Sequence, residues 1–210
     1  MSNFRLDHKL ALVTGCSRGI GMAIAIELAN AGADIIGVSN SMPQQGSEVA
    51  KAVEAAGRKF YPYAVDFSNR TALHAFIEKV KLDHPRIDIL INNAGIPQIG
   101  NIEKTSPADF QKIFDVNVKG AYHCMLAFIP FMVSQKSGVI LNMASVAASV
   151  PTNLAPNLAP VPTCLSNESL LVLTSLVRLA LAVLTPPLPK DLANALDVAL
   201  APLIGAKVSK

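Results

Sequence analysis

The chain has 210 residues, 51% apolar and 16% charged, with a formal net charge of +3. That is apolar material enough for the core of one ordinary domain, which excludes wholesale disorder, and the charge is too small and scattered for a nucleic-acid surface. Cys16, Cys124 and Cys164 are an odd set with no Cys-x-x-Cys spacing, and Met1–His8 holds no apolar run; this argues against a disulfide framework, a zinc cluster or a signal peptide, and for a reducing cytoplasm.

Taken in order, Leu10-Ala-Leu-Val-Thr14 is a short apolar run ending at a glycine, the pattern of a buried strand. Gly19–Ala31 predicts a helix stopped by Gly32. Asp34–Val38 is a second strand, and Glu48–Ala56 a helix closed by Gly57. Lys59–Val65 predicts a third strand, Arg70–Leu82 a helix, and Ile87–Ile91 a fourth strand. A long helix is expected over Ala108–Ser134, with Gly120 and Pro130 as its weak points, followed by a fifth strand over Gly138–Met143. Strands alternating with helices imply an α/β, doubly wound parallel sheet, which binds ligands beyond the carboxyl ends of its strands.

The style of the sequence changes near residue 150. Eleven of the 12 glycines precede residue 150, whereas 8 of the 14 prolines and 15 leucines follow it. The expected organisation is therefore a Rossmann-type domain over 1–150, truncated after its fifth strand, and an atypical Leu/Pro-rich helical segment over 151–210 packed on or extending it. Ser169–Thr185 is a nearly continuous apolar run with Arg178 inside it. It is short for a membrane span and carries a charge, so it reads as a core or interface helix.

The first strand runs into Thr14-Gly-Cys-Ser-Arg-Gly-Ile-Gly21. Gly15 permits a tight exit, and Gly19 and Gly21 let backbone approach a diphosphate at a helix N-terminus. This resembles the T-G-x-x-x-G-I-G turn of the short-chain dehydrogenase/reductase family. Asn92-Asn-Ala-Gly95 resembles the family's N-N-A-G, and Asp66 its adenine-binding aspartate. Asn117, in Asp115-Val-Asn-Val-Lys-Gly120, matches its helix asparagine, and Ser145 its catalytic serine. The five matches stand in the family's order and cover about residues 5–150.

The resemblance implies hydride transfer between NAD(P) and a ketone or secondary alcohol, in a dimer or tetramer, with no membrane or nucleic acid involved. It implies a cofactor site of Gly15, Ser17, Arg18, Gly19, Ile20, Gly21, Ser39, Asp66, Phe67, Asn93, Ala94 and Gly95, with Ser145 and Asn117 as catalytic residues. Where NAD-dependent members carry an acidic residue at the end of the second strand, this chain has Ser39 and then Asn40. No carboxylate repels a 2′-phosphate there, and the Arg18 guanidinium can pair with one, so the sequence leans towards NADP over NAD. Gly32–Ser39 with Ala56–Phe60 looks like the family's sugar-acid members, while Gly138–Val150 looks like its general members.

One implied feature is missing. The family's proton donor is a tyrosine in Tyr-x-x-x-Lys, the lysine tuning a phenol that otherwise titrates near about 10. Counting on from Ser145 by the family's spacing gives Leu158 and Pro162; a looser register gives Thr163 and Asn167. No register succeeds, because Tyr122 is the last tyrosine and Lys190 the first lysine after Lys136. Pro-Gly is also absent after residue 150. Three readings follow: an oxidoreductase, a dinucleotide-binding protein without hydride chemistry, or a product whose frame or sequence changes near residue 150. Translating the coding DNA in its other two frames tests the third.

The remaining candidates read as structural. His8, His74, His84 and His123 lie far apart in sequence with no ligand spacing, so no metal site is expected. His123 and Cys124 are helix neighbours facing different ways, which argues against a nucleophile–base pair. Cys16 reads as space-filling rather than as a reactive thiol.

Overall fold

The apolar runs of the first, second and fourth strands contain almost no polar residue, as strands buried on both faces must. In the computed structural model, which describes residues 5–97 and 105–144, they form the middle of a five-stranded sheet. The strands are β1 (Leu10–Thr14), β2 (Asp34–Ser39), β3 (Phe60–Ala64), β4 (Ile89–Asn92) and β5 (Val139–Asn142). All pairs are parallel and the order is β3-β2-β1-β4-β5. Val13 of the central strand sits between Gly37 and Ile91, which aligns the carboxyl ends of β1, β2 and β4.

Helices α1 (Gly19–Asn30) and α2 (Glu48–Ala55) cover one face; α3 (Arg70–Asp83), α4 (Pro107–Phe114) and α5 (Gly120–Gln135) follow later in the chain. Their starts are written locally. The Ser47 hydroxyl accepts the Ala50 N–H at 3.2 Å, and the Asn69 amide oxygen accepts that of Ala72 at 3.1 Å. Ser106 accepts from Asp109 N–H at 3.1 Å, with Pro107 in the first turn. α3 buries Leu73, Phe76, Ile77 and Val80, one face at helical spacing.

Two cores result. Leu12, Ile36 and Leu90 point to the side of α3 and α5, with Phe76, Cys124 and Phe128; Val13, Ile35 and Ile91 point to α1 and α2, with Ala25 and Val49. Each fully buried Leu or Ile contributes about 2 kcal/mol. Gly37 is required by this packing, since a Cβ there would lie 2.3 Å from the Phe60 ring.

At the amino ends of the strands, the buried Asp88 carboxylate accepts from Leu10 N–H at 3.0 Å, Lys9 at 3.2 Å and Arg86 Nε at 3.1 Å. Burial opposes its charge, but Arg86, the Leu10 amide and Lys9 together hold it below the usual carboxylate range. Asp34 is likewise held by Arg58 and by the Lys59 N–H, each at 3.0 Å.

The sequence predicts one helix over 108–134 with weak points at Gly120 and Pro130. The helical run is instead interrupted earlier, by a π-helical turn over Asp115–Lys119, and Pro130 stays inside α5. Among the described residues β5 is paired on one side only. The expectations for residues 151–210, including the apolar run at 169–185, lie outside the described residues, as does Ser145.

Candidate functional site

β1 ends on Thr14, whose buried hydroxyl ties the ends of β1 and β4 together. Its Oγ1 donates to Ile91 C=O at 3.3 Å and accepts from Asn93 N–H at 2.9 Å and Ala94 N–H at 2.8 Å. The Asn93 side-chain amide returns the contact, donating to Thr14 C=O at 2.9 Å and Gly15 C=O at 3.2 Å. The Gly15 N–H donates to Val38 C=O at 2.7 Å. The glycine turn and the Asn92–Gly95 segment, far apart in sequence, are thus one unit.

The glycines are demanded by space. A Cβ on Gly15 (φ +70°) would lie 2.9 Å from Ala94 Cα, and one on Gly21 only 2.4 Å from Gly15 O and Asn93 Nδ2. Gly19 differs: it has φ +59°, yet nothing lies within 4 Å of its would-be Cβ. The turn is therefore open at the point where a bulky anion has to approach the backbone. No side chain caps α1 at Arg18, and its first turn holds no acidic residue. Arg18 and Ile20 are both exposed, and Ser17 is half-buried. Cys16 is fully buried beneath the turn and burial pushes its thiol up to about 12, so it fills space as expected.

β2 ends on Ser39, whose buried Oγ has no hydrogen-bond partner among the described residues. Beyond β3, Asp66 Oδ1 accepts from the Ser68 hydroxyl at 2.7 Å and the Ser68 N–H at 2.9 Å. These bonds hold its carboxyl below the ordinary range. Phe67 is buried against Gly120, where a Cβ would lie 2.6 Å from its ring.

Asn117 sits in the π turn, and its side chain pairs like a strand with the backbone of Ile96. Oδ1 accepts Ile96 N–H at 2.9 Å, and Nδ2 donates to Ile96 C=O at 3.0 Å. The Asn92–Gly95 segment is thereby anchored at both ends, by Thr14 and by Asn117. Asn92 Nδ2 donates to Asn142 Oδ1 on β5 at 2.8 Å, leaving its own buried Oδ1 without a partner among the described residues.

The structure thus brings Gly15, Gly21, Asn93 and Ala94 into direct contact, and Gly95 and Ile96 beside Asn117; Ser39, Asp66 and Phe67 stand at the neighbouring strand ends. Sequence reasoning missed Thr14 as the bridging residue and the Asn92–Asn142 pair. The signal was present: a threonine before the first glycine is the one polar side chain in an otherwise apolar strand. Among the described residues no three His, Cys, Asp or Glu side chains are grouped to hold a metal. Cys124 is buried in the core and its thiol is pushed up to about 12 by burial, so His123 and Cys124 form no catalytic pair.

A parallel sheet in this strand order, with a glycine turn at the carboxyl end of its central strand, defines a Rossmann-type dinucleotide-binding fold. The family model described as short chain dehydrogenase matches residues 9–157, and the chain belongs to that family. It is 47% identical over 146 residues to a 2-dehydro-3-deoxy-D-gluconate 5-dehydrogenase of Pseudoalteromonas atlantica, covering 70% of this chain and 58% of that enzyme. It therefore spans less than two thirds of that relative's length. A metagenomic short-chain oxidoreductase solved in complex with NADP superposes with TM-score 0.73 at 32% identity, covering 84% of this chain and 78% of that one. An NAD+-bound xylitol dehydrogenase gives TM-score 0.72 at 29% identity, covering 87% and 68%.

Proposed function

We propose that this chain is an NAD(P)-dependent oxidoreductase acting between a ketone and a secondary alcohol, with a sugar acid as the favoured substrate class. The observation that carries the reading is the Thr14–Asn93 lock, which holds an open glycine turn at the centre of the sheet's carboxyl edge. Gly15, Ser17, Arg18, Gly19, Ile20 and Gly21 would hold the diphosphate, and Ser39 the adenosine ribose. Asp66 and Phe67 would receive the adenine, and Asn93, Ala94 and Gly95 would line the path towards the nicotinamide end. The orphaned Ser39 hydroxyl and the open space at Gly19 are what such a ligand would fill. A bound nicotinamide supplies the hydride acceptor or donor. Asn117 positions the Ile96 backbone, and Ser145 would hold the substrate oxygen. The sugar-acid class rests on the likeness of the first 150 residues to the gluconate enzyme.

NADP is the favoured cofactor, since Ser39 brings no carboxylate and the exposed Arg18 has no ion-pair partner among the described residues. Comparing NADPH and NADH affinity before and after Arg18→Ala tests this; an unchanged preference would defeat it. A second copy of the chain is the proposed partner, because Tyr122, Leu126 and Val133 leave an exposed apolar stripe along α5 at helical spacing. Light scattering showing a monodisperse monomer would contradict that. Two buried free thiols among the described residues accord with a reducing cytoplasm.

A specific observation favours a second reading, in which the chain binds the dinucleotide without hydride transfer. The last tyrosine, Tyr122, lies half-exposed on α5 against His123, not at the strand ends. Titration with NADPH followed by assay on sugar-acid and simple ketones separates the two. Turnover abolished by Ser145→Ala establishes the enzyme, whereas tight binding with no turnover on the whole panel establishes the binding protein.

A further inference from the structure

α3 and α5 lie on the same side of the sheet, and near their amino ends they present two imidazoles to each other. The His74 and His123 ring centroids are 5.0 Å apart at an interplanar angle of 65°. His74 is exposed on α3, and His123 is half-buried on α5 with the Tyr122 ring 5.3 Å away. Neutral rings in this edge-to-face arrangement attract, one polar edge meeting one π face.

The groups around them are cationic. Arg70 lies one turn before His74 on α3, and Lys119 one turn before His123, in the π segment. Lys119 is held by Asp115 at 2.7 Å, whose Oδ1 also accepts from Gln111 at 2.8 Å. That carboxylate is therefore already engaged. Desolvation, then His74, Arg70 and Lys119, all lower the readiness of His123 to take a proton.

We propose that His74 and His123 form an acid-sensitive clasp: with neutral rings it closes the α3–α5 seam, and on protonation it loosens the seam by like-charge repulsion. The sign follows from linkage. A histidine whose folded affinity for protons is depressed contributes stability that is present above its unfolded pKa, near about 6.5, and is lost as pH falls through the folded value. The loosening reaches the site, because α5 continues from the π turn whose Asn117 holds the Ile96 backbone.

Proton NMR of the histidine rings across about pH 5 to 8 tests the clasp in the full chain. His74→Gln changes an exposed side chain and is expected to shift the His123 titration upward, because one neighbouring charge is removed. Amide exchange is the second readout. Corrected for the intrinsic base-catalysed rate, which itself falls on acidification, exchange in the first turns of α5 should speed by roughly fourfold or more in the wild type as pH falls, the effect of two unit charges about 5 Å apart in water. His74→Gln and His123→Gln should abolish that acceleration. An unmoved His123 titration, or equal acceleration in the wild type and His74→Gln, overturns the proposal; should His123→Gln fail to fold, the His74→Gln results alone decide it.

Discussion

The two ends of the sheet handle polar groups in opposite ways. At the amino ends, the carboxylates Asp34 and Asp88 are each met by a guanidinium and a backbone N–H, with Lys9 added at Asp88. At the carboxyl ends, Ser39 Oγ and Asn92 Oδ1 are buried without a partner among the described residues, and α1 starts with no side-chain cap. Buried polar groups left unsatisfied are costly, and two of the three such side-chain atoms among the described residues lie at this end; the third, Gln135 Oε1, lies near the amino ends, where Gln135 Nε2 donates to Ile87 C=O. The amino end pairs its carboxylates internally; the carboxyl end keeps hydrogen-bonding capacity that a bound ligand would use.

The comparison can be broken first at Gly21. An alanine Cβ would meet backbone at 2.4 Å, so Gly21→Ala should weaken NADPH binding by at least about 100-fold, roughly 3 kcal/mol. Fluorescence titration on protein with unchanged circular dichroism measures this, and an unaltered Kd would refute the spatial argument. Asp88→Ala attacks the other end. Stranding the Leu10 N–H and two cations should cost about 3 kcal/mol in urea unfolding, while NADPH affinity of the remaining folded protein stays unchanged. If binding falls as much as stability does, the two ends are not separable.

Thr14→Val sits between these extremes. It keeps the volume but removes the acceptor for Asn93 and Ala94 N–H, so a stability loss of about 2 kcal/mol is expected together with weaker NADPH binding. The smallest effect concerns His84. Burial foremost holds its imidazole below the usual range, opposed by Asp83, and Tyr63 lies 3.3 Å from its Nε2. Its stability contribution is present above about pH 6.5 and lost as pH falls through the lower folded value. Thermal melts should therefore show His84→Gln losing less than the wild type on acidification; parallel losses would remove His84 from the account.

Much of this contrast was legible in the sequence, because it rests on patterns with a strong physical cause. Continuous apolar runs marked β1, β2 and β4, and Gly15 and Gly21 marked a close approach that their packing requires. Element ends moved by a residue or two, as with β4, which starts at Ile89 rather than Ile87 because Asp88 has turned into its charged cluster. The π turn was not legible. Gly120 and Pro130 are the residues that ordinarily weaken a helix, but the extra residue is accommodated at 115–119, where Asn117 pairs with Ile96. Nor was the contact of His74 with His123, since it is made by the packing of α3 and α5 and leaves no mark in local spacing.

The central position of β1 sets a timetable for synthesis. Its neighbour β2 follows almost at once, but the residues that meet its other edge come 78 positions later. At ordinary ribosomal speeds of about 5–20 residues per second, β1 waits roughly 4 to 16 s with one row of backbone groups unpaired. The nascent chain during that interval is the form most exposed to mispairing, and slowing translation between codons 40 and 88 should raise the fraction that aggregates.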